Sequence, residues 1–116
     1  MSLRFTEICV DAHDTAALAR WWSQALGWAL KPADDDGEWL VCPPAGQCPD
    51  WLFLPVPEDK SVKNRIHFDF TPDDQQAEVD RLIALGARPA DIGQGEQTWV
   101  VLADPEGNEF CVLAAG

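Results

Sequence analysis

The chain has 116 residues, about one ordinary domain, and 47% of them are apolar, enough to bury a core without disulfide or metal staples. Eight basic residues against twenty acidic ones give a net charge of −12 at pH 7, which argues against nucleic acid and anionic membrane partners, since neither attracts such a surface. No apolar run approaches the roughly 18 residues that a membrane helix needs.

Met1–Phe5 leads straight into strand-like sequence, without a basic stretch followed by an apolar one, so the expected location is the cytoplasm. Phe5 to Val10 alternates, with Thr6, Ile8 and Val10 on one face and Phe5, Glu7 and Cys9 on the other. Asp14 then reads as a helix cap. Leu18, Trp21, Trp22, Ala25 and Leu26 follow at helical spacing, and Gly27 stands where a helix-ending glycine belongs. Short strands are predicted at Trp28–Lys31, Glu38–Val41 and Trp51–Val56, separated by the turn-rich Asp34–Gly37 and Cys42–Gly46 segments.

After a polar stretch the pattern returns. Arg65 to Phe70 alternates, with Ile66, Phe68 and Phe70 opposite His67 and Asp69. Asp73 or Asp74 can cap a second helix with the stripe Val79, Leu82, Ile83, and Gly86 ends it. Strands are predicted at Arg88–Asp91, Gln97–Ala103 and Glu109–Leu113, the last two joined by the turn sequence Asp104-Pro105-Glu106-Gly107-Asn108. At an offset of about 60 residues Glu7 meets His67, Asp14 meets Asp74, Trp39 meets Trp99 and Val41 meets Val101, although one-residue shifts fit some parts equally well. The predicted organisation is a single domain over 1–116: module one at 3–57, a linker at 58–64 and module two at 65–114.

This duplicated order, the Ala-Leu-Gly helix ends (Ala25–Gly27, Ala84–Gly86) and the turn before the last strand resemble the glyoxalase/bleomycin-resistance/dioxygenase, or vicinal-oxygen-chelate, superfamily, in its compact glyoxalase-like branch. The resemblance implies an α+β fold: two βαβββ modules forming a curved mixed sheet around a cavity, with the helices outside. It also implies a divalent metal in that cavity, held by His, Gln or Glu from the first and fourth strands of each module and acting as a Lewis acid on two neighbouring substrate oxygens.

On the first strands the family positions fall on Glu7, or on Ile8 or Cys9 if the register slips, and on His67. On the last strand the position falls on Cys111, where many members carry glutamate. The corresponding strand of module one, Trp51-Leu52-Phe53-Leu54, offers no ligand. Glu7, His67 and Cys111 are therefore the metal candidates, and this depleted set favours no metal over zinc, manganese, nickel or iron. His67 can instead be a hydrogen-bonded cavity histidine or a metal-free base. Trp39 and Trp99 either line the cavity as clamps for a planar ligand or fill the core. Lys60, Lys63 and Arg65 read as a solvated linker or as a steering patch for an anionic group. Two functions stay open: an enzyme of lyase, isomerase or dioxygenase type on a small molecule, or a non-catalytic binder of the bleomycin-resistance type. A homodimer is expected, because sheets of this kind leave edge strands open.

Overall fold

A computed structural model describes residues 2–116. It is α+β and divides into two compact units, the first running through Asp59 and the second starting at Lys60. The first contains β1 (Glu7–Ala12), α1 (Thr15–Leu26), β2 (Ala29–Pro32), β3 (Trp39–Cys42) and β4 (Asp50–Pro55). The second contains β5 (Asp69–Phe70), α2 (Gln75–Leu85), β6 (Arg88–Pro89), β7 (Val100–Ala103) and β8 (Glu109–Val112). Each is a βαβββ module with its own four-stranded sheet, ordered β1-β4-β3-β2 and β5-β8-β7-β6. In both, the first strand pairs in parallel with the fourth, and the rest of the sheet is antiparallel.

The two helices start alike. The Asp14 carboxylate accepts from Ala17 N, and the Asp74 carboxylate from Ala77 N, both at 3.1 Å. Each satisfies one of the donors that a helix leaves open at its N-terminus. Gly27 ends α1 at φ 70°, a left-handed conformation that costs glycine nothing, and its N–H reaches Ser23 O.

In the first unit α1 lies on a sheet face of large rings. Trp22 packs 5.0 Å from Trp51, which also meets Trp28 at 6.0 Å and Phe53 at 6.5 Å. Both Trp21 and Trp22 are buried. The second unit is thinner. Phe70 and Phe110 pack edge to face at 6.0 Å, and Val79 and Leu82 are the buried residues of α2. Ile83, expected in the stripe, is 40% exposed. With β5 and β6 only two residues long, there is less sheet to cover.

Three predicted strands are markedly shorter than the sequence suggests, Arg88–Asp91 reducing to Arg88–Pro89. Within Arg65–Phe70, only Asp69–Phe70 form a strand, with Phe68 O also accepting from Cys111 N. Its partner β8 begins at Glu109, so nothing lies opposite Arg65 and Ile66, and Ile66 is 75% exposed. Similarly Gln97–Trp99 stay outside β7. The Thr98 carbonyl is taken by the Gln75 side chain at 2.8 Å, and Gln97 Nε2 binds Gln94 O.

The β7–β8 turn is pinned by Asp104, which is fully buried. Its Oδ1 accepts from Glu106 N and Asn108 N, each at 2.9 Å, and its Oδ2 from Asn108 Nδ2 at 2.9 Å. Replacing it by Ala leaves three part-buried donors without this acceptor. Asp104→Ala is expected to lower stability by about 2–4 kcal/mol, more than Asp14→Ala at about 0.5–2 kcal/mol. Urea midpoints of the two variants check the order.

Candidate functional site

In each unit one sheet face carries the helix and the other does not. Strand pairing assigns every residue to a face, because side chains alternate and paired residues point the same way. In the first unit Val41, Trp51 and Phe53 are on the covered face. The helix-free face then holds Glu7, Cys9 and Asp11 of β1, Asp50, Leu52 and Leu54 of β4, and Leu40 and Cys42 of β3. In the second unit Phe70, Leu102, Phe110 and Val112 are covered, which leaves Asp69, Val101, Glu109 and Cys111 on the helix-free face.

These registers revise the repeat. Trp39 pairs with Phe53, whereas the residue that pairs with the equivalent Val112 is Val100, not Trp99. Trp39 therefore shares the helix-covered face with Val41, the position that the core alternative gives it. Trp99 precedes β7 in a bend and is 37% exposed. The pair Val41 and Val101 splits in the same way, because a one-residue slip moves a side chain to the other face. The registers also match Leu52 with Cys111 and Asp50 with Glu109 across the two units.

Glu7 is half-buried on the helix-free face of the first unit, beside Asp50 in the parallel ladder. Cys111 is buried on that of the second unit, opposite Asp69. Burial pushes the Cys111 thiol up, and the Asp69 charge and the thiol's hydrogen bond to that carboxylate add to it. Cys42 is likewise raised by burial and by the charge and hydrogen bond of Asp50, against an opposing pull from Lys31. Cys9 is raised by burial, then by Glu7, Asp11 and Glu38. All three thiols are thus held in the neutral form, the poor nucleophile and poor metal ligand.

His67 stands ahead of the ladder, half-buried, with Nε2 2.9 Å from the Asn64 carbonyl. A carbonyl only accepts, so Nε2 carries the proton and the lone pair is on Nδ1. Asn64 is held in turn by Glu109, a residue that alternation alone does not single out. Glu109 Oε1 accepts from Asn64 N at 2.9 Å and Oε2 from Lys60 Nζ at 3.0 Å, and Asn64 Nδ2 reaches Glu109 O at 3.4 Å. Lys60 is therefore not part of a solvated linker: its side chain is 18% exposed and that of Glu109 13%. Burial works to raise the Glu109 carboxyl, but the bonds from Asn64 and Lys60 outweigh it and hold it below its ordinary value. His13 lies outside this group, 59% exposed and 3.4 Å from Asp59.

The family model described as a glyoxalase-like domain matches residues 7–113. The chain belongs to the glyoxalase-like domain family. No curated protein matches it by sequence. Among solved structures it is similar to the fosfomycin resistance protein FosX of Listeria monocytogenes, with a TM-score of 0.72 and 16% identity over 100% of this chain and 94% of that one. Glyoxalase I of Leishmania major gives 0.65 and 14%, covering 97% and 87%. The bleomycin resistance determinant encoded on transposon Tn5 gives 0.61 and 13%, covering 97% and 98%. At these identities the likeness establishes the shared fold. No helix among the described residues is long and apolar enough to cross a membrane.

A glyoxalase-like chain implies a divalent metal, and the donors here do not fit one. Leu52, at one last-strand corner, has no donor atom. Cys111, at the other, is a neutral thiol already bonded to Asp69. Within each unit, among the described residues, no three His, Cys, Asp or Glu side chains are grouped to hold a metal ion.

Two outcomes follow from this geometry. The folded pKa of Glu109 lies below its unfolded value of about 4.3. Its stabilisation is therefore complete above that value and is lost as pH falls through the folded pKa. Glu109→Gln should flatten the fall in urea midpoint between about pH 5 and 3. The exposed Cys9 should react with iodoacetamide more slowly at pH 7 than an unperturbed thiol does, and Glu7→Gln should speed it, as read by mass spectrometry.

Proposed function

We propose that this glyoxalase-like protein holds a small organic molecule against the helix-free face of its first unit's sheet and works without a metal centre of the family's kind. The observation that supports this is the donor chemistry of the last strands, with Leu52, which has no donor atom, and Cys111, a thiol engaged with Asp69, where the family places its ligands. Sequestration fits the first unit, where the carboxylates Glu7, Asp11 and Asp50 alternate with Leu40, Leu52 and Leu54. Such a face suits a ligand with an apolar body and a cationic group. The proposal includes a cytoplasmic location and a homodimer, the latter because β2 and β6 stand at the ends of their own sheets.

A second reading, a metal-free enzyme, rests on His67. With Nε2 donating to Asn64, Nδ1 can accept a proton from a weakly acidic group of the ligand.

Thermal melting against cationic, neutral and anionic aromatic or aliphatic compounds tests the proposal, in EDTA and again with zinc, manganese, nickel or iron. A cationic apolar compound should stabilise the protein in EDTA, by about 2.7 kcal/mol at a hundred times its Kd. Stoichiometric metal in protein purified without chelators, with binding that disappears in EDTA, would overturn it. Light scattering at micromolar concentration should give a dimer, and a lone monomer removes that part.

A further inference from the structure

The group around Glu109 does more than close a loop. Residues 56–68 form no helix or strand, so His67 has no regular element to orient it. What orients it is its bond to Asn64 O, and Asn64 is fixed from β8. The two carboxylate oxygens of Glu109 divide the work. Oε2 takes Lys60 Nζ, and Oε1 takes Asn64 N. The Glu109 main-chain oxygen adds a third bond, from Asn64 Nδ2. Both charged side chains are largely withdrawn from water, which strengthens charge-assisted bonds and makes their geometry costly to leave. The loop therefore hangs on a rigid strand at the very residue whose carbonyl binds the imidazole.

We infer that the Lys60–Glu109 pair is a positioning device for His67: acting through Asn64, it holds the imidazole in the Nε2–H form and keeps Nδ1 as the acceptor for an O–H or N–H of the ligand. The inference rests on the reading of His67 as a group that meets the ligand. Its physical basis is independent of any metal. Nearby charges do not do the same work. Arg65 is exposed, and Asp69 is exposed and engaged with Cys111. Lys60, which reads as linker in the sequence, becomes a positioning residue on this account. Glu109 becomes another, although neither touches the ligand.

Ring-nitrogen NMR of the ligand-free, full-length, ¹⁵N-labelled protein tests the device without any activity. The chain has only two histidines, so His13, exposed and beside Asp59, serves as an internal reference. In the wild type the His67 Nε2–H proton should persist against solvent exchange, with Nδ1 showing the shift of an unprotonated acceptor. In Glu109→Ala that proton should exchange about tenfold faster, the factor that one lost hydrogen bond of ordinary strength carries, and both tautomers should be populated. Lys60→Met should move the same signals in the same direction while His13 stays unchanged. It also decides the matter if Glu109→Ala does not fold. Unchanged His67 signals in a folded variant, or a wild-type ring protonated on Nδ1 alone, would overturn the inference. If the device behaves as described but no stabilising compound shifts Nδ1, the positioning role stands and the base reading falls.

Discussion

The parallel pairing of first and fourth strands is the constraint on which both units depend. β1 against β4, and β5 against β8, decide which side chains go under the helix and which face away. Since the side-chain period of a strand is two, this single register orders the whole sheet. It puts Trp51 and Phe53 beneath Trp22, and it puts Phe110 and Val112 away from Cys111. The helices add burial to a choice already made by the ladder. Each arrives with its own start signal, an aspartate that caps it.

The helix-free faces have a common chemistry. Carboxylates lie beside thiols in both units, Asp50 with Cys42 and Asp69 with Cys111. A net charge of −12 is thus not spread evenly as a solubilising coat, because part of it sets the protonation of neighbouring groups. The part-buried cation Lys60 is committed to Glu109. Such faces disfavour thiolate nucleophiles and thiolate metal ligands, and favour recognition by charge and shape.

Most of the fold was legible in the sequence, and the reasons are local. Asp14 and Asp74 announce the helices, Gly27 ends the first, and Asp104 to Asn108 mark the last turn, because caps and turns depend on a few adjacent residues. What misled was anything that needs a partner strand. Trp39 and Trp99 match by offset, but bends before β7 shift one of them by a residue and so to the other face. The alternation of Arg65 to Phe70 promised a long strand, and β8 is too short to pair with it. At the site, Glu7, His67 and Cys111 were visible as polar residues on strand-like sequence. The pairing of Glu109 with Lys60 was not, since they meet across 49 residues of chain, and no spacing rule connects them.

The Asp104 turn has a consequence for the order in which the second unit assembles. It closes within five residues and brings β7 to β8 through bonds that one side chain accepts, with two backbone bonds beside them. The parallel ladder of β5 with β8, by contrast, joins Asp69 to Cys111, and that long loop must lose its freedom before any contact repays it. The hairpin is thus suited to form in the folding nucleus, with β5 docking afterwards on an edge already built. A substitution at Asp104 would then slow folding, whereas one at Phe70 would mainly speed unfolding.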